Sequence, residues 1–325
     1  MSGFVFEGMT PALQAWVDYA GQAGADPQER DRLKGLVPPA LLARWWAAQR
    51  VWRCRDEARV GEPVVHAAPS GRYRLEVTTH AEGPRTWAYA KGRVYDGETL
   101  VAEILRNFSH FPFVWVEGHA SGHDYLIGGE DYQGQTVIEL DTGRRAEHLP
   151  PEAAEGRGFC WADFALSPSG RTLAVEGCYW AWPYELRLVD LGDPLTALPV
   201  LTYFGDEASI RWLPDEPDAG DVTRRVELYA PTGGRADDLS DAEEADLQRR
   251  QAAGETDLWR TEARVERWVR GSIAAHAGVQ IDAFPAGEAL WAEGLRNVQA
   301  LIDRAPPADQ ALLLARLAAR ASTPD

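Results

Sequence analysis

Three short turns recur along the middle of the chain at near-constant spacing, and they constrain the fold more than any other feature. Pro69-Ser70-Gly71-Arg72 and Pro168-Ser169-Gly170-Arg171 are identical, and Ala120-Ser121-Gly122-His123 lies between them. A weaker fourth copy is Asp218-Ala219-Gly220-Asp221. The four glycines stand 51, 48 and 50 residues apart. Each turn is followed by a run of strand-forming residues: Tyr73–Val77, Tyr125–Ile127, Leu173–Val175 and Val226–Tyr229. Trp115, Trp161 and Trp212 sit on incoming strands, and Thr136–Leu140 and Glu185–Asp190 add further ones. A single small meander cannot bury both its faces, so such units must pack on one another.

With a Pro-x-Gly turn linking the first two strands of each unit, residues 61–271 resemble β-propeller-type repeat proteins. The resemblance implies a mainly β fold of about four units of roughly 50 residues, framed by helices. A β-sandwich or a continuous twisted sheet made of the same meanders stays open as an alternative. The block Tyr125–Thr136 is also similar to uncharacterised microbial proteins, a likeness that implies no function.

On either side the hydrophobic period becomes helical. Residues 1–60 form an N-terminal helical segment. Thr10-Pro11, Asp26-Pro27 and Pro38-Pro39 are helix starts. The stripe Leu41, Leu42, Trp45, Ala48 and Trp52 is expected to cover an edge or face of the β region. Within the β region, Trp87, Tyr89, Arg93 and Tyr95 read as a pair of runs around Lys91-Gly92. Residues 232–256 read as an acidic insertion, with Ser240 and Glu243 as a capping box. Residues 272–325 form a C-terminal helical segment, expected to pack on the β domain through Leu290, Trp291, Leu295, Val298, Leu301 and Ile302, then Leu313, Leu314 and Leu317.

Charge narrows the partners. The net charge is −17, which repels nucleic-acid phosphates and anionic membranes. A protein or peptide, a basic one included, is compatible with it. The three cysteines are too few for a disulfide framework. No signal peptide or membrane-length apolar run is visible, so a cytoplasmic location is expected. Phosphate loops, dinucleotide fingerprints and nucleophile elbows do not occur, so no cofactor is expected. The oligomeric state is not legible.

Two clusters of rings, acids and amides occupy equivalent places in adjacent units. One is Glu130, Asp131, Tyr132, Gln133 and Gln135; the other is Tyr179, Trp180, Trp182, Tyr184 and Glu185. Equivalent positions in a repeat fold gather on one rim, where rings, acids and amides suit a sugar, a cationic side chain or an amine. The first function expected is a non-enzymatic scaffold that recognises a protein or peptide through this rim. The competing reading places the rings in the core and the acids on loops. A second function is a small-molecule hydrolase using paired carboxylates drawn from Glu130, Asp131, Glu176 and Glu185. A third is an acidic antagonist of a basic protein, acting through residues 237–250. His119, His123 and Asp124 are the weak metal candidates, against a simple turn-stabilising role.

Overall fold

The computed structural model describes residues 4–129, 133–155, 157–180, 182–236, 238–284 and 292–322. The chain is mainly β with flanking helices and divides into two compact units. The first runs to Phe111 and takes back Gly129; the second holds Pro112–Gly128 and the chain from Gln133 onward.

The first unit opens with α1 (Pro11–Ala20), α2 (Pro27–Gly35) and α3 (Pro39–Arg53). Thr10 Oγ1 accepts the Leu13 amide at 3.3 Å and Asp26 Oδ1 that of Gln28 at 3.2 Å, so both caps form as the sequence predicts. Leu42 and Trp45 of α3 pack on Leu13 and Trp16 of α1, with the Trp16 and Trp45 rings 5.3 Å apart. This part of the α3 stripe therefore closes a small helical core rather than covering a sheet. The β region is met at the end of the helix, where the Cys54 thiol donates to the Ala90 carbonyl at 3.7 Å.

Every sheet is an antiparallel meander in chain order. The first unit holds β1 (Arg59–Ala67), β2 (Tyr73–His80), β3 (Tyr89–Asp96) and β4 (Thr99–Arg106). The second unit holds three. One is β5 (Phe113–Val116), β6 (Tyr125–Gly128), β7 (Gln135–Glu139) and β8 (Arg145–His148). The next is β9 (Cys160–Leu166), β10 (Thr172–Cys178), β11 (Glu185–Asp190) and β12 (Val200–Asp206). The last has three strands, β13 (Ser209–Leu213), β14 (Glu216–Tyr229) and β15 (Trp259–Val269).

The three Ser-Gly turns share one geometry. Gly71, Gly122 and Gly170 have φ of 74°, 85° and 69°, a region open to glycine at little cost. Each glycine amide donates 2.9 Å to the carbonyl three residues back, from Ala68, His119 or Ser167. Ser70, Ser121 and Ser169 each accept the amide two residues on.

Two other glycines are not turns. Gly220 lies inside β14 opposite Trp212, so the Asp218–Asp221 segment is strand. A Cβ on Gly220 would sit 2.7 Å from Ile210 Cδ1 and 3.2 Å from the Trp212 ring. Likewise β3 runs unbroken through Lys91-Gly92, where a Cβ would meet the Phe111 ring at 2.6 Å. Both glycines make room for a neighbouring side chain. Gly220→Ala is expected to cost about 1–3 kcal/mol in urea unfolding, the usual penalty of overpacking.

In the second unit, Val116, Tyr125, Ile127 and Val137 of one meander share a core with Phe159, Leu173, Val175 and Val189 of the next. The opposite face, through Leu186, Leu188 and Leu201, packs with Val222 and Trp268 of the last meander. The helices α4 (Asp241–Ala252), α5 (Ile273–Ala283), α6 (Ala292–Arg304) and α7 (Pro307–Ala321) complete the unit. Ala277, Ile281, Val298, Leu301, Ile302, Leu313 and Leu317 join that second core. Leu290 and Trp291 lie outside the described residues; Leu295 and Leu314 are exposed.

The Ser240–Glu243 capping box opens α4, and Tyr229 donates to Asp246 at 2.6 Å, tying the helix to the end of β14. Asp190, 1% exposed, takes the guanidiniums of Arg270 and Arg304 on its two oxygens. Arg270 also donates to Thr172 Oγ1 at 2.8 Å, so the clamp fastens the chain after β15 and the end of α6 to the meander holding Asp190. No helix among the described residues is long and apolar enough to cross a membrane.

Candidate functional site

Alternation along β11 puts Leu186 and Leu188 on one face of their sheet and Arg187 on the other. Arg187 lies between Val175 of β10 and Tyr203 of β12 and is only 4% exposed. A buried guanidinium needs partners. Its carbon stands 3.5 Å over the centroid of Phe159, with Tyr179 and Tyr203 at 5.0 and 5.1 Å. Nη1 donates to Glu293 of α6 at 2.8 Å and Nη2 to the Tyr179 hydroxyl at 2.6 Å. That hydroxyl donates to the other Glu293 oxygen at 2.6 Å, closing a triangle. Burial drives the Tyr179 hydroxyl well above its ordinary pKa, so it stays protonated. Nε of Arg187 is buried without a hydrogen-bond partner among the described residues.

Beside this group opens a cavity of roughly 230 Å³, lined among others by Gln133, Gln135, His148, Trp161, Tyr203 and Glu293. Gln133 is held, its Oε1 accepting the Gly158 amide at 3.0 Å. Gln135 is different. It is 4% exposed, and neither its amide nitrogen nor its amide oxygen meets a partner among the described residues. His148, opposite Gln135 in the ladder, bonds the Pro194 carbonyl through Nε2 at 2.9 Å. Burial lowers its pKa, keeping the ring neutral near pH 7 with the proton on Nε2.

The two sequence clusters are thus partly brought together. Gln133 and Gln135 line the cavity, Tyr179 holds Arg187, and the Glu185 carboxylate lies 3.6 Å from the same guanidinium. Trp180, Trp182 and Tyr184 occupy the connection between β10 and β11 and are 60%, 71% and 53% exposed. Glu130, Asp131 and Tyr132 lie outside the described residues. Arg187, Phe159, Tyr203 and Glu293 escape sequence reasoning. The available signal was a lone arginine inside the apolar run Leu186-Arg187-Leu188-Val189.

Other candidates resolve differently. Gly177 pairs with Glu185 and Glu176 with Leu186, so the two carboxylates point to opposite faces and form no catalytic pair. Cys160 and Cys178 are opposite one another on β9 and β10, both as free thiols. In α4, Asp246 is bonded by Tyr229, Arg249 and Arg250, and Glu243 is spent on the cap.

His119 bonds the Leu191 carbonyl at 2.7 Å through Nε2 and Ser121 at 2.9 Å through Nδ1. Asp124 accepts the Gly118 amide at 2.8 Å. Both stabilise the turn. His123 instead lies 2.6 Å from Asp141 and 3.9 Å from Glu139, a cluster with metal-ligand chemistry. Glu139 is already saturated: Arg144 bonds both its oxygens, at 2.8 and 2.5 Å, and Thr142 and Tyr125 supply two further donors. The bound guanidinium disfavours a second cation there.

Arg144 holds the Glu139 carboxyl down at about 2, against roughly 4.3 for an unfolded glutamate. A depressed carboxyl pKa stabilises the fold above the unfolded value and loses that contribution as pH falls through the folded one. The wild-type unfolding free energy is therefore expected to fall between about pH 4.5 and pH 2. Glu139→Gln should flatten that segment in urea titrations taken across the range.

No family model matches the chain. Over 131 residues, 40% of this chain, it is 35% identical to an uncharacterized protein of Acanthamoeba polyphaga mimivirus. The match covers 51% of the viral protein, so the chain spans about half the length of the curated relative it matches.

Proposed function

We propose that the chain is a non-enzymatic binding module that recognises a peptide segment at the Arg187 cavity, and that its meanders are blade-type units of a β-propeller repeat. The shared turn geometry and the face-to-face packing of successive meanders in the second unit support the repeat reading.

Gln135 carries the binding reading. Among the described residues its amide meets no partner, and both amide atoms are sealed from solvent at the cavity wall. Such an amide costs roughly 1–3 kcal/mol, and a ligand offering both complements recovers it once the side chain turns into the cavity. A peptide group or a carboxamide side chain offers both. Glu293 already neutralises Arg187, so a neutral polar group suits the cavity better than a free anion. Trp161 and Tyr203 flank it with aromatic surface, and Trp182 and Tyr184 add exposed rings nearby in the chain.

The test is selection of a displayed random-peptide library on the immobilised protein, followed by calorimetric titration of the enriched peptides. Gln135→Met keeps the volume and removes the amide. It should weaken those peptides about tenfold while raising the stability of the ligand-free protein by about 1 kcal/mol. An absence of enriched peptides, or enriched peptides indifferent to Gln135→Met, overturns the reading.

A further inference from the structure

Among the described residues, the last meander of the second unit has three strands where each of the others has four. Its outer strand, β15, is 11 residues long, and nine of them are exposed. Val265 is 65% exposed and Val269 58%. Even-numbered residues direct their backbone groups to β14: the Arg270 amide donates to Asp218 and the Ala230 amide donates to the Leu258 carbonyl, both at 2.9 Å. The antiparallel ladder therefore turns the N–H and C=O groups of Trp259, Thr261, Ala263, Val265 and Arg267 outward. A long open edge of this kind is a template for another strand.

We infer that β15 pairs antiparallel with β15 of a second copy of this chain, about a two-fold axis through Ala263. Charge selects this occupant and this register. Arg260, Glu262, Arg264 and Glu266 alternate in sign along one face. With Ala263 on the axis, Arg260 faces Glu266 of the other copy and Glu262 faces Arg264, each pair occurring twice. The outward backbone groups are then those of facing residues, as an antiparallel ladder requires. Moving the axis to Arg264 sets Arg264 against itself and Glu262 against Glu266. Moving it to Glu262 sets Glu262 against itself and Arg260 against Arg264. Like charges directly opposite are unfavourable, so both slips are selected against. Ala263 on the axis presents only a methyl group to its symmetry mate.

Sedimentation velocity and light scattering on the full chain test this, at about 0.1 mM to populate a complex with Kd near 10 µM. The wild type should approach twice the monomer mass of 35.9 kDa. Arg264→Glu and Glu262→Arg should each be monomeric alone, since each puts like charges opposite. An equimolar mixture of the two should dimerise again, because every facing pair is then opposite in sign. Ala263→Pro removes an outward N–H without touching the β14 ladder and should be a folded monomer, with circular dichroism checking the fold. A monomeric wild type overturns the inference and leaves the edge to a strand of another protein. So does a mixture that fails to reassociate, or an Arg264→Glu chain that dimerises as the wild type does.

Discussion

Replacing Asp190 by Asn should cost about 4 kcal/mol and loosen the C-terminal helices before the rest of the second unit. Asp190 is 1% exposed and is the shared counter-charge of Arg270 and Arg304, whose side chains are 5% and 14% exposed. The amide keeps the shape of the carboxylate but leaves two enclosed guanidiniums without an anion. Arg304 belongs to α6, and Arg270 precedes α5, so both attachments of the helical layer to the end of β11 weaken together. Denaturant unfolding measures the loss. Hydrogen exchange should show α5 and α6 losing protection while β10 and β11 keep theirs. Uniform loss across the unit would mean that the clamp serves the whole core and not the helical layer.

Arg187→Met should cost somewhat less, about 3 kcal/mol. The ion pair with Glu293, the bond to Tyr179 and the stack on Phe159 are all lost. The Glu293 side chain is 32% exposed and can rehydrate, which keeps the figure at the low end for a broken buried pair. Adding Glu293→Leu should restore part of the loss, since the stranded carboxylate is then gone. A double-mutant cycle on these two positions reads the coupling directly. Peptide binding should fall in Arg187→Met as well, because the guanidinium forms one wall of the cavity.

The architecture was legible where local chemistry decides it. A Ser-Gly turn needs a left-handed glycine and a hydroxyl to take the following amide, and all three such turns form. The caps at Thr10, Asp26 and Ser240 are equally local. Gly92 and Gly220 show the limit of that reasoning. They have the composition of turns but stand in mid-strand, because Phe111, Ile210 and Trp212 fill the space a Cβ would take. A glycine that permits a turn and a glycine that admits a neighbour are written with the same letter.

The site divides along the same line. The sequence placed its two clusters at equivalent positions of successive units, on the expectation that such positions gather on one rim. Of those residues, Gln133 and Gln135 line the cavity, and Tyr179 and Glu185 lie against the Arg187 guanidinium. Arg187 and Glu293 lie 106 residues apart and meet only because α6 packs on the meander. The sequence by itself determined the three Ser-Gly turns and the helix caps, each of which depends on a handful of consecutive residues. The tertiary structure alone decided that Gly92 and Gly220 are strand, that Arg187 is buried, and that the Gln135 amide meets no partner among the described residues. Those outcomes depend on what a distant segment places alongside, and no short stretch of chain contains that information.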